Sequence, residues 1–263
     1  MIIIEKFYET DKCQLYHGDC LEVMDELIKQ GIKVDMILTD PPYGTTACKW
    51  DSIIPFEPMW ERVNKLIKDN GTILFTASQP FTSALVMSNP KMFRYEWIWE
   101  KDKPSNFALA NKQPMKYHEN ICVFYKNQPI YNKQITDGHK PMNGQAKYGR
   151  TYNGSVPSLD VEKRYTGGKT TRNPSSIQKF NTPKHNSSDK SGFHPTQKPI
   201  KLCEYFIRTY TNENELVLDF TMGSGTTGIA CMNMNRKFIG IELDTTYCDT
   251  AKNRILHIDK NIA

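Results

Sequence analysis

One stretch near the carboxyl end restricts this chain to a narrow set of folds. Leu216-Val217-Leu218-Asp219 is a short apolar run ending in an acid, and it leads into Gly223-Ser224-Gly225-Thr226-Thr227-Gly228. An apolar run of that length bounded by glycines reads as a buried strand. Thr226 to Met234 then has helical character, and a second apolar run, Phe238 to Ile241, ends at Glu242. Strand, Gly-x-Gly-x-x-Gly turn, helix, strand and acid together make a βαβ unit, which requires parallel strands with a helix covering the sheet. The glycines let the backbone turn tightly and approach a ligand. An acid about 20 residues beyond the first glycine is placed to bind a ribose. The unit therefore calls for a nucleotide-bearing cofactor but does not name it. A dinucleotide would set its pyrophosphate at the helix N-terminus, whereas S-adenosyl-L-methionine carries adenosine and a ribose without phosphate.

The rest of the chain repeats the alternation. Gln14 to Tyr16, Met36 to Leu38, Thr72 to Thr76, Tyr95 to Trp99 and Ile121 to Tyr125 read as strands. Leu21 to Ile28, Met59 to Ile67, Phe81 to Met87, Ile200 to Tyr210 and a segment from about Tyr247 read as helices. Alternation of this kind predicts an α/β fold with a doubly wound, mostly parallel sheet. Ile2 to Ile4 reads as an edge strand or a packing segment.

A second motif sits after the Met36 strand. Asp40-Pro41-Pro42-Tyr43 falls at the carboxyl end of that strand, where open α/β sheets place their ligands. The two prolines fix the backbone and remove two N–H donors, leaving an edge of acceptors beside an aromatic ring. Such an edge suits a planar molecule that presents an amino group, and a nucleobase fits. Of the two cofactor classes, S-adenosyl-L-methionine explains this second motif and a dinucleotide does not.

At 263 residues the chain can bury a full core. No run approaches the roughly 20 apolar residues of a membrane helix, and the first residues lack the basic segment and long apolar core of a secretory signal. The reading is of a soluble protein. The seven cysteines are scattered, with no Cys-x-x-Cys pair, so neither a disulfide framework nor a metal site is expected. The net charge of +5 is uneven. Between Tyr131 and Gly192 eleven basic residues face four acidic ones, and the periodicity dissolves into Gly, Pro, Asn, Ser, Thr and Lys. Residues 130–192 therefore read as an insertion that meets a polyanion, and 1–129 with 193–263 as the catalytic and cofactor-binding domain. Within the insertion, Lys133, Lys147, Arg150, Lys163, Arg164 and Arg172 are candidate contacts to that polyanion, because Lys and Arg bind phosphates and Arg also reads base edges.

Taken together these motifs resemble the DNA amino-methyltransferase family. Asp40-Pro41-Pro42-Tyr43 matches its catalytic tetrapeptide, and Gly223 to Thr227 is similar to its cofactor loop, although Phe220-Thr221-Met222 stands where the family often has Pro-Phe-Ala. His194-Pro195-Thr196-Gln197-Lys198-Pro199 resembles the segment lining the methionine end of the cofactor, Gly18-Asp19-Cys20-Leu21 the one beside its adenine, and Lys116 to Tyr125 the one behind the target-base pocket. The resemblance implies S-adenosyl-L-methionine held by Asp19, Gln197, Lys198, Asp219, Phe220, Gly223, Ser224, Gly225, Thr226 and Glu242. It implies Asp40 and Pro41 on the amine of a base flipped from double-stranded DNA, with Tyr43 stacked on the ring. It also implies the family's permuted motif order, adenine rather than cytosine as target, and a bacterial cytoplasm, whether the source is bacterial or phage. A homodimer and a cognate restriction enzyme are compatible with it. Asp19 can equally be a helix N-cap. His118 and Glu119 read as strand-end supports, and Cys48-Lys49-Trp50 as a loop over the base or packing beside it. Competing classes are an NAD-dependent oxidoreductase, which leaves the tetrapeptide unexplained, and a catalytically inactive DNA-binding relative.

Overall fold

A computed structural model describes residues 5–45, 51–141, 168–183 and 197–262. Ile2 to Ile4, Cys48 to Trp50, His194 to Thr196, Lys147, Arg150, Lys163 and Arg164 lie outside them. The chain divides into two units, 1–132 with 176–263, and 133–175.

The larger unit is a nine-stranded sheet with helices on both faces. In chain order the strands are β1 (Lys6–Glu9), β2 (Cys13–His17), β3 (Val34–Thr39), β4 (Ile67–Ala77), β5 (Phe93–Glu100), β6 (His118–Phe124), β7 (Ile177–Lys179), β8 (Leu216–Asp219) and β9 (Lys237–Glu242). The helices are α1 (Cys20–Lys29), α2 (Phe56–Leu66), α3 (Phe81–Ser88), α4 (Ile200–Tyr210), α5 (Thr226–Asn233) and α6 (Thr245–Ile262). The spatial order is β1-β2-β9-β8-β3-β4-β6-β5-β7. From β2 through β4 every neighbour is parallel, while β6 runs antiparallel to both β4 and β5. The fold is thus the expected α/β class with a mostly parallel sheet. The antiparallel edge arises because β5 and β6 are joined by a loop with no crossover helix.

Successive residues along β3 explain the double layer. Met36 and Leu38 join α4, α5 and α6 on one face, whereas Ile37 joins α1, α2 and α3 on the other. Both faces are covered, so the strand is apolar throughout rather than alternating. Trp97 and Trp99 are core residues of the first face, and their indole N–H groups donate to the Tyr210 hydroxyl and the Phe180 carbonyl, both at 2.8 Å.

Two elements differ from the sequence reading. Helix α2 begins at Phe56, because Pro55 caps it and Pro58 lies in the first turn, where a missing N–H costs little. Strand β4 begins directly after it, at Ile67, and pairing with β3 jumps from Val34↔Ile67 to Met36↔Thr72. The extra residues bulge out, and a Cβ at Gly71 would lie 2.6 Å from the Ile67 side chain and 2.9 Å from the Asp35 carbonyl.

In the smaller unit, Thr136 and Arg172 pair through reciprocal backbone bonds of 3.1 and 2.8 Å. No helix among the described residues is long and apolar enough to cross a membrane.

Candidate active site

The site is built where the parallel strands end. Asp40 follows β3, Asp219 closes β8, Glu242 closes β9, Thr76 lies near the end of β4, and Gly18-Asp19 follows β2. One cleft of about 710 Å³ brings these ends together. Of the residues singled out from sequence, Asp19, Asp40, Pro41, Pro42, Tyr43, Gln197, Lys198, Asp219, Phe220, Gly223, Ser224, Thr226 and Glu242 all line it. Gly225 does not. It stands at φ 79°, and a Cβ there would come within 2.7 Å of the Ala251 Cβ on α6, so this glycine serves helix packing.

Asp40 is enclosed by donors. Its Oδ2 accepts from the Lys198 ammonium at 2.5 Å, and its Oδ1 accepts from the Tyr43 hydroxyl at 2.7 Å and from the Thr76 hydroxyl. Burial by itself would raise this carboxyl, but the Lys198 charge and the three hydrogen bonds more than offset it and hold Asp40 below its ordinary range. Lys198 shows the converse. Burial would lower it, yet Asp40 and Glu119 keep it above the usual lysine range. Glu119, the second residue of β6, lies 3.5 Å from Lys198 and also pairs with the buried Lys101. The Asp40 carboxylate therefore belongs to a chain of alternating charges, Asp40–Lys198–Glu119–Lys101, drawn from four separate segments.

The Tyr43 ring stacks on Phe81 at 5.2 Å with 26° between planes, so a base could use only its other face. The backbone after the tetrapeptide is tied down by Asp51. That carboxylate accepts from the N–H groups of Tyr43, Gly44 and Thr45 at 2.8, 2.8 and 2.9 Å.

The cofactor-loop side is arranged differently. Asp219 is buried and accepts from the hydroxyls of Thr39 (2.8 Å) and Thr227 (2.7 Å) and from the Thr221 N–H (3.1 Å). Among the described residues no cation pairs with it, and burial pushes it up to about 7 despite those bonds. Glu242 accepts from the N–H groups of Gly223 (2.8 Å) and Asp244 (2.9 Å), and burial raises it also. Ser224 is held by the Arg254 guanidinium, through its carbonyl at 2.5 Å and its hydroxyl at 2.9 Å. Asp19 caps α1 by accepting from Leu21 and Glu22 N–H groups, and it also borders the cleft. The Phe220 ring is fully buried against Phe75 at 6.1 Å, so it supports the cleft from the core side. Gln197 borders the cleft with a buried Oε1 that has no hydrogen-bond partner among the described residues.

Thr39, Asp51, Thr76 and Arg254 escaped the sequence reading as site residues; none belongs to a motif, and each is brought in by a neighbouring element. Glu119, read from sequence as a strand-end support, instead pairs with Lys198. The candidate DNA contacts fare differently. Lys133 is exposed, while Arg172 donates to the Lys169, Thr171 and Lys140 carbonyls of its own unit.

Comparison with known proteins agrees with this geometry. A family model described as DNA methylase matches residues 34–253. The Type II methyltransferase M2.LlaDCHI of Lactococcus lactis subsp. cremoris is 27% identical over 97% of this chain and 93% of its own length. The Type II methyltransferase M1.MboII of Moraxella bovis is 25% identical over 90% of this chain and 94% of its own. Among solved structures, the M1.HpyAVI–SAM complex superposes with a TM-score of 0.61 at 27% identity, covering 92% of this chain and 99% of that one. The cytosine-N4-specific PvuII DNA methyltransferase, at 17% identity, shares the fold with a TM-score of 0.66 over 98% of this chain and 95% of its own. An acceptor turn and a glycine loop meeting in one cleft, in a chain whose match runs from β3 into α6, place this protein in the DNA methylase family of N6 and N4 methyltransferases.

Proposed function

We propose that this chain methylates the N6 amine of adenine at specific sites in double-stranded DNA, using S-adenosyl-L-methionine. The observation that carries the reading is the Asp40 carboxylate, kept ionised at the mouth of the cleft by Lys198. The residues present fit the cofactor. The Gln197 Oε1, without a partner among the described residues, is an acceptor suited to the ammonium of a methionine moiety, and Glu242, at the end of β9 beside the cleft, is suited to ribose hydroxyls. When bound, that cofactor supplies a methyl group on a sulfonium.

The exocyclic amine is a weak nucleophile because its lone pair is delocalised into the ring. Asp40 and the Pro41 carbonyl accept its two N–H bonds and favour a pyramidal nitrogen. As positive charge develops on that nitrogen, the ionised Asp40 stabilises it, so catalysis is positional and electrostatic. Oδ1 of Asp40 already accepts two hydrogen bonds and Oδ2 one, which leaves an acceptor site on Oδ2, beside Lys198, for an incoming amine. The base must leave the duplex to reach Asp40, and it would meet the Tyr43 ring beside the Lys198 ammonium, which lies 5.8 Å from the ring centre. The 130–192 segment is the element proposed to select the sequence, with Lys133 exposed for phosphate contact.

An aspartate at the first motif position goes with adenine more often than with cytosine within the family. The second reading, cytosine N4, is favoured by the fold shared with the PvuII enzyme. Hydrolysing DNA from cells that express the protein and identifying the modified nucleoside decides between them: N6-methyladenine is expected, and N4-methylcytosine overturns the choice. Tight NAD binding without S-adenosyl-L-methionine binding would overturn both. Light scattering and a search of the flanking genes test the homodimer and the cognate restriction enzyme.

A further inference from the structure

Apart from Lys101, the loop between β5 and β6, residues 101–117, has no role in the chemistry above, yet its backbone is closely tied. Its backbone is closed by Lys101 N–H to the Tyr117 carbonyl (2.7 Å), Ser105 N–H to the Lys116 carbonyl (3.1 Å) and Lys116 N–H to Asn106 Oδ1 (2.5 Å). Asn106 returns a bond to the Pro114 carbonyl at 3.0 Å, and Asp102 accepts from the Thr182 N–H and hydroxyl at 2.6 and 2.8 Å. A loop fixed in this way presents its outward side chains in set positions. What it presents is apolar: Phe107, on a 3₁₀ turn, is 77% exposed, and Leu109, Met115 and Tyr117 are exposed as well. A lone exposed apolar residue is ordinary, but four in one pinned loop mark an interaction surface. Lys103 and Lys112 stand beside them, also exposed, and the loop carries four lysines against one acid.

The loop is fastened to the catalytic end of the sheet. The Lys116 ammonium donates to the Ser78 hydroxyl, two residues beyond Thr76, which itself bonds Asp40. Its two ends lead into Lys101 and Glu119 of the charged chain that reaches Lys198. None of the loop lines the cleft itself, so an exposed aromatic beside exposed Lys103 and Lys112 would meet a DNA duplex outside it. Flipping a base leaves an unstacked gap, and an apolar wedge that fills it recovers stacking.

We propose that Phe107 enters the duplex beside the extruded base and stabilises the flipped state, with Lys103 and Lys112 on the flanking phosphates. This rests on the proposed DNA methylation. The test uses full-length protein and two duplexes carrying the site it methylates, one fully paired and one with an abasic position opposite the target base. Phe107→Ala should lose about tenfold or more in kcat/KM on the paired duplex, one stacking interaction's worth. It should be largely restored on the abasic duplex, where opening needs no wedge, while Phe107→Trp keeps activity on both. Lys112→Gln should lower the salt dependence of DNA binding by about one unit of slope. Unchanged activity of Phe107→Ala on the paired duplex overturns the proposal. So does an equal loss on both duplexes, which marks a structural role. A change of oligomeric state in Phe107→Ala would also overturn it and assign the surface to a second copy. Wild-type protein inactive on both duplexes refutes the methylation reading instead, and the wedge falls with it.

Discussion

Asp40 and Asp219 stand at the carboxyl ends of two adjacent parallel strands, β3 and β8, and border the same cleft, yet their surroundings drive them apart. Asp40 has a lysine against one oxygen and is held as a carboxylate. Among the described residues Asp219 has only hydroxyls and one amide N–H as partners, and burial carries it to about 7. A buried carboxylate with a cation keeps its charge for use, whereas one with neutral donors becomes a structural hub whose charge is costly. The difference fits the roles proposed for them. Asp40 would meet the amine, and Asp219 joins β3 to the start of α5 through Thr39 and Thr227.

The largest expected effect comes from the charged member. Asp40→Ala should reduce methyl transfer by at least the order of 10²–10³ assigned to a single electrostatic group, with S-adenosyl-L-methionine affinity retained in calorimetry. Full activity would remove Asp40 from the reaction. Lys198→Met comes next, because it leaves Asp40 without a cation and Glu119 with Lys101 alone. Breaking a buried pair of this kind costs about 3–5 kcal/mol. Without the lysine, burial governs Asp40 and raises its pKa, so the acid limb of the pH–rate profile should move to higher pH. A variant that is slow at every pH by the same factor would contradict the role given to Lys198.

Asp51→Ala has a smaller predicted effect, about 1–3 kcal/mol for backbone donors left without their acceptor. It should weaken kcat/KM for DNA and leave cofactor binding untouched; a loss of both would show that Asp51 acts on the whole cleft. The smallest effect is on the neutral member. Asp219 has a folded value near 7 against 3.8 for the free side chain. The fold therefore retains a proton that the unfolded chain has released. Stability from this group falls as pH rises from about 4 to 7 and stays reduced above that. Asp219→Asn keeps acceptor and donor atoms but cannot ionise, so its melting temperature should vary less between pH 5 and pH 8 than that of the wild type, by a few degrees. Parallel melting profiles would erase the contrast between the two aspartates.

Much of the fold was legible because local chemistry and topology agree at β3, β8, β9 and the glycine loop. Each pairs an apolar run with a turn that only a few residues can make. Strand β4 was shortened in the reading because Asn70-Gly71 looks like a stop, whereas in the fold it is a bulge closed against Ile67. In the candidate site, the motif residues could be named but not their state. Gly225 reads as a ligand-facing glycine and instead relieves contact with Ala251. Tyr43 reads as an open stacking platform and has one face on Phe81.

By itself the amino-acid sequence determined the class of the sheet and picked out the two turns proposed to carry the chemistry, since these depend on residues close together along the chain. Only the tertiary structure decided which of the two aspartates stays charged. Lys198 is 158 positions from Asp40, and Thr39 is 180 positions from Asp219. Charge state follows from burial and from partners that only folding brings within hydrogen-bond reach.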